Sequence, residues 1–412
     1  MYADDLVLLA ERESDLQCML DVLDDWCSEW NVYINVQKSK VMHFRNPSVP
    51  RTKFVFKCGN NVLDLCTQYK YLGLFLDEYL SYDVTARHVA QSAHRALGLL
   101  IAKDKLQGGF DYKVFTKLYD TLVSPIIEYG AAIWGDKCFS CIEAVQHRAS
   151  RYFLGVGKRA PNRAVEGDIG WKLPFVRQWM CVFRLWFRLS NMDKDKLCSK
   201  IFRWSIMKAS LNINNWSYRV LNFMKSNKLL YDVNAGINYY DVKNHLSCSL
   251  SIIAHQKWTA DINRLGSKRG YGQNKLRTYR LFKSTIEPEE YVIYNLQKKL
   301  RRALALFRTG TAPINLELKR YSSIYIPVEE RKCVSCEDVE SESHVIFSCH
   351  LYDDIRYDMY KSLSDTISGF DVFMSLSDTE KLCFILSNPT CIKIAARTCF
   401  YILERRKLIE YF

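Results

Sequence analysis

The chain opens with Tyr2-Ala3-Asp4-Asp5-Leu6-Val7-Leu8-Leu9, in which two adjacent carboxylates precede a short apolar run. This order predicts a turn at Asp4 and Asp5 that leads into a strand. Carboxylate oxygens are good ligands for divalent cations, but a bare Asp-Asp pair is common and is more often a solvated turn. Only the surrounding sequence can therefore distinguish a cation site from a solvated turn.

The residues that follow predict one helix and a small sheet. Apolar side chains recur at helical spacing from Leu16 to Trp30, and Ser14 with Gln17 forms a capping-box pattern before them. Turn residues then separate runs that are typical of strands. These runs are Val32–Val36, Val41–Phe44, Lys53–Lys57 and Tyr69–Leu76.

Beyond about residue 80 the apolar pattern becomes helical. Pro125 is expected to start or kink a helix, because proline lacks the amide hydrogen. The aromatic-rich stretch Leu173–Phe202 predicts buried helix with arginines whose charged ends reach solvent, and a terminal amphipathic helix is expected from about Pro389 to Phe412. Residues 196–251 carry no pattern that indicates a role.

Composition places the chain among globular proteins. Of its 412 residues 48% are hydrophobic, and only 17 are glycine and 9 are proline, which excludes fibrous and wholly disordered classes. No run approaches the roughly 18 apolar residues of a membrane helix. Acids near the N-terminus do not suit a signal peptide. We therefore expect an intracellular protein, in the nucleus, the cytoplasm or both, whose 15 cysteines serve as thiols or metal ligands and which has no membrane partner.

Positive charge is concentrated in one part of the chain. The formal net charge is +13, and the basic segment, residues 257–332, contributes +10 of it, with 17 Lys and Arg against 7 Asp and Glu. Aromatic residues lie between these bases, as on surfaces that neutralise phosphates and stack on nucleic-acid bases. A charged run by itself is more often a solvated helix face. The metal motif that follows the segment favours nucleic acid as the partner.

That motif, Cys333-x2-Cys336-x7-His344-x4-Cys349, predicts a zinc site. Two thiolates three positions apart fit a tight turn, and the His and Cys five positions apart can approach the same ion from one helical turn. Three sulfurs and one nitrogen complete a tetrahedral shell, which leaves no position for water and indicates a structural ion. The alternatives are four unrelated residues in a cysteine-rich chain, or His350 as a substitute ligand.

The order of these motifs resembles the reverse transcriptases of non-LTR (LINE-type) retrotransposons over almost the whole chain. Residues 2–5 are similar to the catalytic motif of that family. Further similar stretches are Asn35-Val36-Gln37-Lys38-Ser39-Lys40 as the strand after the palm helix, Tyr71-Leu72-Gly73 as the primer-grip hairpin, Leu122-Val123-Ser124-Pro125 with Tyr129-Gly130 and Trp134 in the helical thumb, and Arg308-Thr309-Gly310, the Cys/His motif, Tyr352 and Arg356 in the C-terminal knuckle region.

The resemblance implies roles for individual residues. Asp4 would bind the catalytic magnesium with support from Asp5, and Lys38 would assist proton or triphosphate handling. The hairpin of Tyr71, Leu72 and Gly73 would seat the primer end. Without the flanking motifs, the hairpin is an ordinary sheet turn and Lys38 is a strand-edge lysine. RNA and DNA would be bound by the knuckle and by bases of the basic segment, namely Lys298, Lys299, Arg301, Arg302 and Arg308.

Polymerases of this family need a further metal-binding aspartate and fingers, which by the order of the motifs would lie before Met1. The resemblance therefore implies a fragment of an RNA-directed DNA polymerase that binds nucleic acid and does not polymerise by itself. One alternative is a non-catalytic zinc-knuckle nucleic-acid-binding protein retained from a retroelement. Another is a helical interaction protein without a nucleic-acid role. The oligomeric state does not follow from the sequence.

The expected fold is α+β and mainly α, with a partial palm sheet, a helical thumb and a helical C-terminal region that carries the Cys-Cys-His-Cys knuckle. The predicted domains are the end of the palm at 1–80, the thumb at 81–175, a helical connector at 176–256, the nucleic-acid-binding region at 257–332, the zinc knuckle at 333–365 and a helical tail at 366–412.

Overall fold

A computed structural model of the protein describes residues 4–229, 231, 236–264, 275–294 and 296–409. The chain divides into two compact units, Met1–Val89 and Ala90–Phe412. It is mainly helical with a few short strands, in agreement with the expected α+β class. The described ranges contain no helix that is both long and apolar enough to cross a membrane. The finer domain divisions within the second unit stay predictions.

The first unit combines one complete helix with very short strands. Its elements are α1 (Glu13–Glu29), β1 (Lys40–Val41), β2 (Lys57–Cys58), β3 (Asn61–Val62), β4 (Asp64–Leu65), β5 (Gln68–Tyr71) and β6 (Leu74–Asp77). β1 pairs with β4 in parallel, whereas β2 with β3 and β5 with β6 are antiparallel. The small sheet predicted from the sequence is therefore three two-stranded pairs.

A small core packs α1 against the region that carries β1 to β4. It consists of Leu20 from the helix and of Val41, Phe56, Cys58 and Leu63 from the strand region. Val32–Val36, which was expected to be a strand, forms none, and only the last residue of Lys53–Lys57 lies in one. Runs of apolar and β-branched residues specify burial more strongly than they specify strand pairing, which depends on neighbours elsewhere in the chain.

The predicted capping box at the start of α1 is wrong. The helix begins at Glu13 after Arg12, without a side-chain cap. Gln17 instead pairs with the backbone of Lys57: its Nε2 donates to the carbonyl at 2.9 Å, and its Oε1 accepts from the amide at 3.0 Å. The side chain of Gln17 therefore bonds α1 to β2 and does not cap the helix.

The second unit is helical, and α2 spans the division between the two units. The α-helices of this region are α2 (Asp83–Leu106), α3 (Tyr112–Leu122), α4 (Ser124–Glu128), α5 (Ala131–Trp134), α6 (Ser140–Leu154), α7 (Asn162–Ile169), α8 (Pro174–Ser190), α9 (Leu197–Ser210), α10 (Trp216–Ser226), α11 (Tyr239–Asn263), α12 (Tyr279–Phe282), α13 (Glu290–Ile293), α14 (Lys298–Arg308), α15 (Asn315–Leu318), α16 (Asp353–Ser364), α17 (Phe370–Ser375), α18 (Asp378–Ser387) and α19 (Ile392–Ile409).

Aromatic side chains of α8 form much of the core of this unit. Trp179, Phe183 and Trp186 are buried together with Met224 of α10 and Leu246 of α11. Large aromatic side chains remove the most apolar area from water per residue, so α8 contributes strongly to the stability of its neighbours.

Several helix predictions can be compared with these bounds. The stretch Leu173–Phe202 contains two helices, α8 and α9, because the mainly polar residues 191–196 form turns between them. Pro125 lies in the first turn of α4, as expected. The terminal helix is confirmed as α19, preceded by a 3-10 turn at Pro389–Cys391; residues 410–412 of that prediction lie outside the described residues.

Candidate metal centre and basic surface

Cys333, Cys336, His344 and Cys349 lie together, as their spacing predicted. Their ligand atoms are all within 4.8 Å of one another. The Sγ of Cys349 lies 3.7 Å from the Sγ of Cys333 and 3.7 Å from that of Cys336. Two sulfurs that each lie about 2.3 Å from one tetrahedral ion are about 3.8 Å apart, so the spacing matches a shared ion. This cluster, called the Cys/His cluster below, is able to hold a metal ion.

A short hairpin positions the first two cysteines. Lys332 and Val339 form an antiparallel bridge. Inside it, the amide of Cys333 donates to the carbonyl of Asp338 at 2.7 Å. Glu337 adopts a positive φ of 59°, a left-handed conformation that closes the turn directly after the second cysteine.

The other two ligands come from a helical turn. His344 starts the π-helical turn His344–Ser348, and the amide of Cys349 donates back to the His344 carbonyl at 2.8 Å. Arg356 of α16 donates to the carbonyl of Cys349 at 2.6 Å. His350 is exposed and lies 3.6 Å from a carboxylate of α16, so it is not part of the cluster.

The protonation chemistry of the cluster fits a metal ion. The Nε2 of His344 is buried and has no hydrogen-bond partner among the described residues. Burial lowers the pKa of His344, which keeps its imidazole in the neutral form that ligates metals. Burial, together with the neighbouring thiols of Cys333 and Cys336, raises the pKa of Cys349 to about 12. A metal ion would supply the partner that Nε2 lacks and would favour the thiolate.

Buried ion pairs connect the cluster to the rest of the second unit. The carboxylate of Glu340 is fully buried; it pairs with Arg406 of α19 and accepts from the amide of Asn315 at 2.5 Å. Glu342 pairs with Arg277 at 2.5 Å. Glu340 and Glu342 therefore anchor the segment that carries the cluster to the surrounding helices.

Arg308, predicted to contact nucleic acid, is buried in an ionic network. Its Nε and Nη2 donate to the two carboxylate oxygens of Asp168 at 3.0 and 2.9 Å, and Nη2 also lies 2.9 Å from Glu289. Tyr291 and Tyr279 donate to the same carboxylate of Asp168 at 2.6 and 3.0 Å. A phosphate contact would have to break this network, so the structure contradicts the predicted role and gives Arg308 a structural one.

In the stretch Arg308-Thr309-Gly310, the local packing also requires glycine at position 310. Gly310 has φ of +62°, and a Cβ atom there would lie 2.2 Å from the carbonyl oxygen of Lys275. Glycine thus lets the backbone of Lys275 approach the end of α14. From this position the Nζ of Lys275 donates to the carbonyl of Arg159 at 2.7 Å.

The other predicted bases of α14 differ in exposure. Arg301 is buried, and its guanidinium lies 4.0 Å from the centroid of an aromatic ring, which corrects its assignment to nucleic-acid binding. Lys298 is exposed, with its Nζ 3.5 Å from the carboxylate of Asp104. Lys299 and Arg302 are exposed. Part of the basic segment, residues 265–274, lies outside the described residues.

Two exposed bases outside the basic segment lie in a loop that contacts Arg302. The loop 155–160 follows α6, and a Cβ at Gly155 would lie 3.0 Å from the Cβ of Arg302, so this loop packs on α14. Lys158 and Arg159 in this loop are exposed. Counting charge over a continuous stretch missed them, although the sequence Gly-Val-Gly-Lys-Arg at 155–159 carries the usual signs of a basic surface loop.

The predicted catalytic carboxylates Asp4 and Asp5 are exposed, and Tyr2 and Ala3 lie outside the described residues. Within the part of the chain that the structure describes, the Cys/His cluster is the only group of three or more His, Cys, Asp or Glu side chains placed to hold a metal ion. The magnesium role of Asp4 stays a prediction.

Lys38 lies in a turn and not in the predicted strand. Its amide donates to both the carbonyl and the side-chain oxygen of Asn35, each at 3.1 Å. The hydroxyl of Tyr69 in β5 donates to the carbonyl of Lys38 at 3.1 Å, so this turn and the β5–β6 hairpin are joined. Asparagine favours such turns because its side chain competes for nearby backbone amides.

Tyr71, Leu72 and Gly73 form the predicted hairpin. Tyr71 pairs with Leu74 at its closed end. Leu72 and Gly73 have φ of +46° and +82°, typical of the type I′ turn that suits the twist of two paired strands. The primer-seating role of these residues stays a prediction.

Residues 1–76 match the family described as reverse transcriptase (RNA-dependent DNA polymerase). No solved structure matches the chain significantly.

Three curated relatives come from transposable elements. The "Probable RNA-directed DNA polymerase from transposon BS" of Drosophila melanogaster is 29% identical over 36% of this chain and 18% of its own length. The "RNA-directed DNA polymerase from mobile element jockey" of the same species is 26% identical over 41% of this chain and 19% of its own length. A transposon-derived protein of Caenorhabditis elegans is 28% identical over 32% of this chain and 47% of its own length. The matched region thus spans about a fifth of the two polymerases.

Proposed function

We propose that the chain binds RNA and DNA, because residues 1–76 match the reverse transcriptase family and part of the chain is similar to RNA-directed DNA polymerases of transposable elements. The binding surface lies on the second unit, and the Cys/His cluster holds a structural zinc ion beside it. This proposal rests on one observation: the Lys and Arg side chains divide into a buried, paired set and an exposed set.

The bases that are buried or only slightly exposed form ion pairs with carboxylates of the protein. Arg277 pairs with Glu317, Lys283 with Glu289 and Arg308 with Asp168. These pairs stabilise the fold and present no charge to a ligand. A count of charge along the sequence therefore overstates the charge that is available for binding.

The exposed bases form a second set. Lys158, Arg159, Lys299 and Arg302 make no ion pair with another described residue. The contact of Gly155 with Arg302 brings the loop and the helix that carry them together. Cations without carboxylate partners are free to neutralise phosphates, and the counterions that phosphates release on binding drive association.

The proposed binding is tested by fluorescence anisotropy with labelled RNA and DNA oligonucleotides over a salt series. We expect the logarithm of the association constant to fall by about 0.7 per phosphate contact for each tenfold rise in salt on single strands. Binding that is undetectable, or that does not respond to salt, would overturn the proposal and favour a protein-interaction role.

Zinc is the proposed occupant of the Cys/His cluster. Cys333, Cys336, His344 and Cys349 supply a complete tetrahedral shell of the donors that zinc prefers, which leaves no open position for catalysis. Zinc there would cross-link the hairpin and the helical turn that carry its ligands. Metal analysis of protein prepared without chelators is expected to find one zinc per chain, and the absence of metal would remove the assignment.

Polymerase chemistry is proposed only by resemblance. In that reading Asp4 and Asp5 bind magnesium, Lys38 assists triphosphate handling, and Tyr71 to Gly73 seat the primer. We expect no primer extension by this chain alone, because its sequence has no recognisable counterpart of the further metal-binding aspartate of the family. Extension of a primed template with magnesium that is lost in Asp4→Asn would overturn this expectation.

A further inference from the structure

We infer that Tyr321, flanked by Arg159 and Lys275, is a stacking site for an unpaired base of single-stranded nucleic acid, RNA or DNA. This inference rests on the proposed nucleic-acid binding and deepens it, since it gives one part of the surface a preference for single strands.

Two cationic side chains lie over the ring of Tyr321. The guanidinium carbon of Arg159 lies 3.9 Å from the ring centroid, and the Nζ of Lys275 lies 5.0 Å from it. The first distance is that of stacked planar groups in van der Waals contact. No other aromatic ring in the described ranges has two cations over it. Residues from three distant parts of the sequence thus meet at one ring.

The ring is also accessible. Tyr321 is 43% exposed, whereas Tyr279 and Tyr291 of the same region are buried with their hydroxyls bonded to Asp168. Neither Arg159 nor Lys275 forms an ion pair with another described residue. The exposed guanidinium of Arg159 is therefore available for a phosphate beside a stacked base, whereas the Nζ of Lys275, which is only partly exposed, also donates to the carbonyl of Arg159.

Contacts of the residues next to Tyr321 and Lys275 hold the site in place. Tyr321 ends the 3-10 turn Lys319–Tyr321, and the preceding Arg320 pairs with the buried Glu317 at 2.9 Å. Lys275 is fixed by the close approach of its carbonyl to Gly310. A preformed site loses little side-chain entropy when a ligand binds, which favours affinity.

The chemistry of the site selects single strands. A base inside a duplex has both faces covered by its neighbours, so it cannot stack on a protein ring. An unpaired base exposes a face to tyrosine and arginine, and stacking of this kind does not depend on which base is present. The phosphates of a duplex can still contact the Lys and Arg side chains around the ring.

The test compares Tyr321→Leu, Tyr321→Phe and the wild type by anisotropy with a labelled single-stranded oligo(dT), a single-stranded oligo(U) and a DNA duplex of the same length. The matched control is Tyr357→Leu, at a tyrosine that is 70% exposed on α16. Unchanged circular dichroism and thermal melting establish that each variant is folded.

Tyr321→Leu is expected to weaken single-strand binding between about fivefold and 150-fold, which is the contribution of one stacked base. Duplex binding should not change, and Tyr321→Phe and Tyr357→Leu should bind as the wild type. Arg159→Gln tests the site without altering the ring: it should weaken single-strand binding and flatten its salt dependence by about one phosphate contact.

The outcomes separate this inference from the proposed function. If the wild type binds no nucleic acid, the proposed function fails. If the wild type binds but Tyr321→Leu and Arg159→Gln leave single-strand affinity unchanged, only the stacking site is refuted. If Tyr321→Leu loses equal affinity for single strands and for the duplex, the stacking site is also refuted, because the ring would then act by positioning the neighbouring Lys and Arg side chains. Equal effects with oligo(dT) and oligo(U) are expected.

Discussion

Replacing Arg308 by Met is expected to destabilise the second unit strongly. The guanidinium and the carboxylate of Asp168 are almost completely buried, with side-chain exposures of 1% and 0%. Met fills most of the volume of the arginine side chain but leaves Asp168 without its charged partner. Breaking a buried pair by removing one member costs about 3 to 5 kcal/mol, because the remaining charge is uncompensated.

The control is an ion pair near the surface that also joins two helices. Arg405 pairs with Asp354, and their side chains are 37% and 65% exposed. Arg405→Met should cost less than about 1 kcal/mol, since water screens such a pair. The two variants remove the same kind of side chain, so the difference between them measures the effect of burial.

Urea unfolding at neutral pH, followed by far-ultraviolet circular dichroism, measures both variants. A change in midpoint with an unchanged slope reports a change in stability. The double variant Asp168→Leu/Arg308→Met should cost less than the two single variants added together, because no buried charge is left alone. If Arg308→Met costs no more than Arg405→Met, the structural role assigned to Arg308 is refuted.

Three further predictions concern pH, backbone geometry and metal. Burial disfavours the carboxylate of Asp168, but the neighbouring guanidinium and tyrosine hydroxyl outweigh it and hold its pKa below the ordinary value. The stabilisation is therefore complete above about pH 4 and is lost as pH falls through the folded pKa, and Asp168→Asn should remove this part of the pH dependence of urea unfolding. Gly310→Ala should lower the free energy of unfolding by more than about 1 kcal/mol, because its Cβ meets backbone and its φ is positive. A chelator should lower the melting temperature of the wild type, whereas Cys333→Ser should melt low with or without it.

Each of these three has its own control. A pH profile of Asp168→Asn that parallels the wild type would contradict the first. Gly98→Ala, at a helical glycine with open space around its Cβ, should be neutral or stabilising, and an equal loss at Gly98 and Gly310 would contradict the second. Cys248→Ser, at an exposed cysteine outside the cluster, should retain the response to chelator; loss of the response there would contradict the third.

Features that depend on neighbouring residues could be predicted from the sequence. The Cys/His cluster was predictable because ligand spacing within 17 residues restricts the geometry of the chain. The hairpin at Leu72 and Gly73 was expected only from the family resemblance, since the residue pattern alone gave Tyr69–Leu76 as one strand-like run. α19 followed from its apolar periodicity.

Features that depend on distant residues could not be predicted. Arg308 and Asp168 are 140 positions apart, and nothing near either residue indicates that they pair. The basic segment therefore seemed more available for binding than it is. The capping box failed in the same way, because Gln17 contacts Lys57, which is 40 positions away. Arg159 and Tyr321 met only through the fold.

We propose that the exposed bases around loop 155–160 and α14 bind nucleic acid. The salt dependence of single-stranded RNA binding in a variant that neutralises three of these bases tests this proposal. The variant is Lys158→Gln/Arg159→Gln/Arg302→Gln. Its control has the same change in net charge at exposed lysines before and within α9, namely Lys194→Gln/Lys196→Gln/Lys200→Gln.

We predict that the slope of the logarithm of affinity against the logarithm of salt concentration becomes shallower by about 2 in the first variant, from about 0.7 per lost phosphate contact. The control should keep the slope of the wild type. Equal slopes in the wild type and both variants would contradict the claim that this surface is where nucleic acid binds.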